Sequence, residues 1–394
     1  MKHFVGIDNS HTAHSVVIIE ETGQCVKQFE ITNDLAGFEK LHKLLSEFSE
    51  IFIGFEITFG PLVDFLRMSK YKIYSINPLK IKRYKESYTV SGNKTDSVDS
   101  HAIANYIRSN ERNLKQMVFS SEAIETLKIL GVSHDRLVKE RTRNINKLTT
   151  LFRQYIPLYD GLFSENAAKT LLKLVIKYPT WGDLASQTEE ELKAFFKSCK
   201  YYNPKSIHRV LEKINSYSQK ISPAVEAGFS CEAVSIARML LQLQDDISIL
   251  EKKMVSLVEA HRLGKVFMSL PGAGIVLGSK LLALFGDNKT KFSKARDAQT
   301  LFGTAPVNYQ SGSYHRVTMR RACDRRARSI LYKFAFCSIN LNKWSKVYYD
   351  EHRKKGSTHS IAVRALSNKW LNILFAMWKN EINYCPLIKV PIAA

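Results

Sequence analysis

Residues 94–104 read Lys-Thr-Asp-Ser-Val-Asp-Ser-His-Ala-Ile-Ala, with Asp96 and Asp99 three positions apart at the start of an expected helix. That spacing puts both carboxylates on one helix face. Ala102, Ile103, Tyr106 and Ile107 supply the same helix with an apolar side. Two acids then stand together where a cation would bridge them. Acids in a first turn also simply favour the positive end of a helix, so the pair gains meaning only from its neighbours.

Those neighbours are ordered. Residues 4–8, 15–20 and 26–31 are short, β-branched-rich segments separated by Asn, Ser, Thr and Gly, and they read as three successive strands. Residues 35–48 place Leu35, Phe38, Leu41, Leu44, Leu45 and Phe48 at helical spacing, and residues 51–57 form an apolar strand broken only by Gly54 and Glu56. A helix over 61–68, a strand over 72–76 and the acid-bearing helix over 100–108 complete this half. Asp8 ends the first strand and Glu56 interrupts a later one. A charge in a buried strand is costly unless compensated, so each needs a cation or an exposed strand end. Lys80, Lys82, Arg83 and Lys85 read either as a solvated loop or as an attraction for a polyanion.

The chain has 394 residues, enough for two or three domains. Its hydrophobic (45%) and charged (24%) fractions are those of a folded protein. The imbalance is one of sign: 58 Lys and Arg against 37 Asp and Glu leave +21. Such an excess favours a polyanionic partner, most often nucleic acid. Six scattered cysteines without a CxxC pair read as reduced thiols. No segment has the length of a signal peptide core or a membrane span. The expected location is the cytoplasm.

The order strand-Asp, meander, helix, strand-Glu, DxxD helix resembles the ribonuclease-H-like fold in its RuvC form. The run Lys94-Thr95-Asp96 with Asp99 further resembles the motif of the DEDD transposases of the insertion-sequence one-ten family, with Ser100 where Ala is usual. The resemblance implies that Asp8, Glu56, Asp96 and Asp99 hold a divalent metal, Mg²⁺ or Mn²⁺, with Lys94 near nucleic acid. Independently of any family, hard cations held by carboxylates stabilise charge on both oxygens of a breaking phosphodiester.

Residues 122–155 and 233–258 have the periodicity of long helices, with shorter helices expected over 167–176, 189–196 and 207–217. Paired long helices around an insert suggest an antiparallel coiled coil or stalk. In residues 270–287, a Pro-Gly-Ala-Gly turn leads into an apolar helix and resembles a helix-hairpin-helix element, whose backbone N–H groups would bind phosphate with Gly272 and Gly274 allowing close approach. A basic helix is expected over 318–336. Arg316, Arg320, Arg321, Arg325, Arg326, Arg328 and Lys333 crowd this region, which suits phosphate contacts.

Ser311, in Gln310-Ser311-Gly312, is on its own an ordinary turn residue. The block from the PGAG turn through Ser-Gly to the Arg-rich segment resembles the family's C-terminal transposase domain, and the resemblance makes Ser311 the nucleophile, with Ser313 the fallback. The family's Lys-Arg-Gly segment is replaced here by Arg320-Arg321-Ala322-Cys323. The expected fold class is therefore α/β plus all-α. Residues 1–113 form a RuvC-like mixed sheet with helices, 114–262 a helical coiled-coil middle for oligomerisation, 263–380 a mainly helical transposase domain, and 381–394 a tail. The resemblance implies strand cleavage and rejoining through phosphoserine. It also implies donor and target DNA, a structured bridge RNA, dimers that pair into tetramers, and composite active sites. The alternatives are a metal-dependent Holliday-junction resolvase without a covalent intermediate, and a catalytically silent nucleic-acid-binding protein.

Overall fold

A computed structural model describes residues 1–56, 60–88, 96–166, 168–219 and 221–386. They form two compact units, Met1–Phe119 and Ser120–Ala394.

The first unit runs β1 (Lys2–Asn9), β2 (Ala13–Glu20), β3 (Cys25–Thr32), α1 (Leu35–Leu45), β4 (Glu50–Phe55), α2 (Pro61–Met68), β5 (Lys72–Ser75), α3 (Pro78–Tyr88) and α4 (Asp96–Asn110). The sheet order is β3-β2-β1-β4-β5, antiparallel from β1 to β3 and parallel across β1, β4 and β5. Short turns suffice for the antiparallel meander, whereas each parallel return needs a crossover, supplied by α1 and α2. Asp34 starts α1 by accepting the Gly37 N–H at 2.8 Å.

Strand alternation sorts the side chains into two layers. Val5, Ile7, Val16, Ile18, Ile53 and Phe55 pack with α1 and α2, while Phe4, Val17, Ile19, Phe52 and Tyr74 pack with α4. β1 and β4 are thus covered on both faces, which is why they read as unbroken apolar runs. Gly6 and Gly54 are register partners on the α4 face. A Cβ on Gly6 would lie 2.5 Å from Ala104 N and closer still to the Ser100 carbonyl, and one on Gly54 would lie 2.9 Å from Ile103 Cγ2. The two glycines let α4 rest directly on the sheet.

Three expectations for this unit are corrected. The basic stretch 80–85 is helix, α3, because Pro78 starts it and Ile81 and Tyr84 give it an apolar side. The acid-bearing helix begins at Asp96 rather than residue 100. Its buried alanine is Ala104, while Ala102 is only partly covered.

The second unit comprises α5 (Glu122–Tyr155), α6 (Lys169–Lys177), α7 (Trp181–Ala185), α8 (Glu189–Ser198), α9 (Pro204–Ser216), α10 (Pro223–Ala260), α11 (Gly264–Met268), α12 (Gly274–Phe285), α13 (Ala295–Leu301), β6 (Val307–Ser311), β7 (Tyr314–Thr318), α14 (Arg325–Leu341), α15 (Lys343–Lys354) and α16 (His359–Asn380). Long α5 and α10 lie antiparallel, as the pairs Lys147–Glu232 (2.6 Å) and His134–Glu251 (3.0 Å) show. One end of the pair shares a core with α6 to α9, the other with α11 to α16. α12 is buried over Gly278 to Phe285 without a break, as a helix enclosed on all sides must be.

The segment carrying Ser311 is not a loop among helices but an antiparallel hairpin. Gly312, at φ +55°, takes the first of two loop positions, where this turn needs a left-handed residue. The basic helix starts at Arg325, not at 318. Asp324 caps it through the Ala327 N–H at 2.9 Å, leaving Arg320 and Arg321 on the preceding loop. Among the described residues, no helix is long and apolar enough to cross a membrane.

Candidate functional site

In the first unit Asp8 and Glu56 stand at one end of the sheet. Asp8 pairs in register with Ser15, and Ile7 with Phe55. Asp8 and Glu56 each follow directly on that last β1–β4 pair, at the carboxyl ends of adjacent parallel strands. Asp8 falls in phase with Phe4 and Gly6, on the α4 side. There Ser100, fully buried where the resemblance expects Ala, donates to Ser15 Oγ at 2.7 Å. The hydroxyl pair ties the first turns of α4 to β2 at the position opposite Asp8.

One residue earlier, Asp99 is ion-paired with Lys85 of α3, their side chains 13% and 26% exposed. Asp96 opens α4, while Lys94 and Thr95 lie outside the described residues. A cavity of about 430 Å³ lined by Gln28, Tyr84, Lys85, Ser97, His101 and Asn105 opens along this part of α4. Among the described residues, no three Asp, Glu, His or Cys side chains converge as a metal-binding group. The chemistry of Asp8, Glu56 and Asp99 nevertheless fits a hard divalent cation, since every donor is a carboxylate oxygen at one sheet end. Lys85, expected either in a solvated loop or as an attraction for a polyanion, instead supplies a positive charge to Asp99.

In the second unit Ser311 stands at the exposed hairpin tip, cross-strand from Tyr314, and Tyr309 pairs with Arg316. Cross-strand partners share a face, so Ser311, Tyr309, Tyr314 and Arg316 project on one side, and Ser313 sits in the turn. Tyr309 and Tyr314 are each more than half exposed. A groove of about 770 Å³ runs along Tyr309, Tyr314 and Arg316 to Arg320 and Arg321. The hairpin was legible in principle, because Gly-Ser between two β-rich runs is a two-residue turn signal.

The arginines divide. Arg316, Arg321 and Arg325 are exposed. Arg326 donates from Nε to Asp135 Oδ2 (2.9 Å), and Arg328 from Nη1 to the Arg320 carbonyl (2.8 Å), so these two hold the protein together. Asp135 also accepts from Lys280 Nζ at 2.6 Å, Lys280 donates to His134 Nδ1 at 2.9 Å, and the remaining His134 N–H faces Glu251 at 3.0 Å. Burial alone pushes the Asp135 carboxyl up, but the hydrogen bonds and charges of Lys280 and Arg326 outweigh it and hold it below the usual range. Burial lowers the Lys280 ammonium. This network locks α14, with its arginines, to α5, α10 and α12. Of the two glycines expected at phosphate, Gly272 approaches the Cys337 carbonyl of α14, whereas Gly274 opens on solvent.

Residues 5–157 match the DEDD transposase model of IS110 elements, and residues 264–350 match the model described as the transposase IS116/IS110/IS902 family. The chain belongs to the IS110 transposase family. It resembles along nearly its whole length a candidate transposase of the IS117 mini-circle of Streptomyces coelicolor, 28% identical over 94% of this chain and 92% of that one. The uncharacterized 42 kDa protein of insertion element IS900 from Mycobacterium paratuberculosis is 25% identical over 97% of each. The uncharacterized 43.6 kDa protein of IS110 from S. coelicolor is 24% identical over 97% of this chain and 95% of that one. An IS110-family transposase is a DNA recombination enzyme, so DNA is its partner. The two matched spans contain all four acids and Ser311 respectively.

Proposed function

We propose that this insertion-sequence transposase cuts and rejoins DNA through a phosphoserine at Ser311. The observation that carries the reading is the setting of that serine: an exposed hairpin tip sharing its face with Tyr309, Tyr314 and Arg316. Aromatic planes beside a cationic groove are what an unpaired strand stacks on. Ser313 lacks that setting, being a turn residue.

Ser311 Oγ attacks phosphorus, the bond from phosphorus to one strand oxygen breaks, and that oxygen leaves with a proton. A hydroxyl of the new partner strand then attacks the phosphoserine, forming a phosphodiester and restoring the serine hydroxyl. One phosphoester is made for each one broken, so rejoining needs no external energy source. Arg316, nearest the serine along the hairpin, neutralises charge on the transferring phosphoryl group. The order β3-β2-β1-β4-β5 with acids at the ends of β1 and β4 supports a ribonuclease-H-like, RuvC-type reading of the first unit. Asp8, Glu56, Asp96 and Asp99 would hold Mg²⁺ or Mn²⁺. A metal held there would supply charge stabilisation for phosphodiester cleavage, and Lys85 keeps Asp99 oriented. A guide RNA and assembly into dimers and tetramers, for which α5 and α10 offer long surfaces, belong to the same proposal, and the +21 charge favours the RNA.

Denaturing gels of the full-length protein with end-labelled donor DNA test it. Wild type and Ser313→Ala form a protein-linked strand, Ser311→Ala forms none, and Asp99→Ala forms at least roughly 10²-fold less. A linked strand from Ser311→Ala, or unimpaired cleavage by it, refutes the serine and leaves water as the nucleophile.

A further inference from the structure

Behind the hairpin groove lies a second cavity, of about 410 Å³, within the range of roughly 300–1,000 Å³ typical of small-molecule sites. Its walls come from the 303–306 segment, the end of β7, α14, α15 and α16. Three residues of its lining each carry a buried polar atom without a hydrogen-bond partner among the described residues: Thr304 Oγ1, Arg320 Nε and Asn368 Oδ1. Buried polar atoms are almost always paired, so three on one cavity mark a place built for a polar ligand. Tyr332 and Tyr348 add aromatic surface. Arg364, also on the wall, directs Nη1 at Met319 Sδ, 3.2 Å away, a weak acceptor for a guanidinium.

Asn offers a donor and an acceptor side by side, whichever way its amide is turned, and that pair matches the edge of a nucleobase. Aromatic rings match the base face. A guanidinium whose hydrogen-bond partner among the described residues is a sulfur suits a phosphate. Thr318, Met319 and Arg320 line both this cavity and the groove beside Ser311, so a strand in the groove reaches the cavity by turning one nucleotide inward, as enzymes that extrude a base do.

We infer that this cavity binds a single unstacked nucleotide of the DNA strand held on the hairpin, with Asn368 and Thr304 reading its base and Arg364 holding its phosphate. The inference rests on the reading that the hairpin groove takes a strand, and it adds a specificity pocket to it.

Calorimetric titration of the full-length protein with dAMP, dGMP, dCMP and dTMP tests it. At least one binds saturably, and Asn368→Leu and Arg364→Gln each weaken it roughly tenfold or more. Asn368→Leu also leaves the unfolding midpoint unchanged or raised, because it removes a buried acceptor without a partner. Should that variant fail to fold, Thr304→Val, of matching shape, repeats the measurement. No saturable binding by any monophosphate, or binding unchanged in the folded variants, overturns the pocket. Salt-dependent binding of an oligonucleotide to the same protein, measured alongside, reports separately on the groove.

Discussion

Substituting alanine at Gly6 and at Gly54 tests how α4 is seated. The Gly6 methyl would meet backbone: Ala104 N at 2.5 Å, Ser100 C at 3.0 Å, and the Ser100 carbonyl oxygen closer than either. Relief requires α4 as a whole to retreat by roughly 1 Å to reach ordinary contact. A radial gap of that size forfeits roughly a quarter to a half of the dispersion energy of each affected contact, here those of Ile103, Ala104 and Ile107. Overpacking typically costs about 1–3 kcal/mol, and alanine recovers about 0.5–1 kcal/mol of backbone entropy. With a rigid obstacle the upper end of that range applies, and the net should be about 2–2.5 kcal/mol. The Gly54 methyl instead meets side-chain tips, Ile103 Cγ2 at 2.9 Å and Ile107 Cγ1 at 3.0 Å, which turn aside for about 1–2 kcal/mol. Trimming Ile107 to Ala should therefore rescue Gly54→Ala, with a coupling of about 0.5 kcal/mol or more, and no side-chain trim should rescue Gly6→Ala. Urea unfolding followed by far-ultraviolet circular dichroism measures this. All four tryptophans lie in the second unit, so their emission provides a control. With α4 carrying the acids proposed to hold metal, a shift of about 1 Å is worth roughly 10²-fold in rate, so strand cleavage should fall further with Gly6→Ala than with Gly54→Ala. Equal costs at the two glycines, or a neutral Gly6→Ala, would refute this seating of α4.

Removing the Asp135 carboxylate strands the Lys280 ammonium, whose side chain is 8% exposed. Asp135→Ala should cost about 3–5 kcal/mol in denaturant unfolding, and Asp135→Leu combined with Lys280→Met should recover most of it; full stability in the single variant would count against the network. Lys291 gives a pH signature. Its ammonium donates to the Leu284 carbonyl at 2.6 Å, and burial pushes its pKa down to about 8. Between about pH 8 and 10.5 the unfolded chain binds the extra proton, so stability rises with pH across that window and levels off for this group below it. The rise should be at most about 3 kcal/mol. Lys291→Met should abolish it and stabilise the protein at pH 7 by about 1–2 kcal/mol after the lost hydrogen bond is counted. The same pH dependence in both proteins would show that Lys291 is solvated.

The parts of the fold that announced themselves were those with strong periodicity. Residues 4–8 and 51–57 read as strands because they are apolar on both faces, and residues 122–155 read as a helix over the bounds it takes. Four acids at element ends were visible for the same reason, each interrupting an otherwise apolar pattern. Less visible was anything decided by tertiary partners. The basic run at 80–85 is a helix because Ile81 and Tyr84 reach the sheet core, a fact no local charge count contains. Gly54 registered as a break in its strand and Gly6 did not stand out at all, although facing each other across β1 and β4 they make the bed for α4. Arg326 and Arg328 looked like their neighbours, and only the positions of Asp135 and the Arg320 carbonyl set them apart.

The α5–α10 pair has a mechanical consequence. With 34 residues, α5 is roughly 51 Å long. Because each end is embedded in a separate core, the pair is a stiff lever rather than a tether. A tilt of one degree about the α6–α9 end swings the other by roughly 0.9 Å, set by the helix length, and that other end carries α14 through Asp135 and Lys280. Anything that grips the small helices at the far end therefore has a moment arm on the arginines.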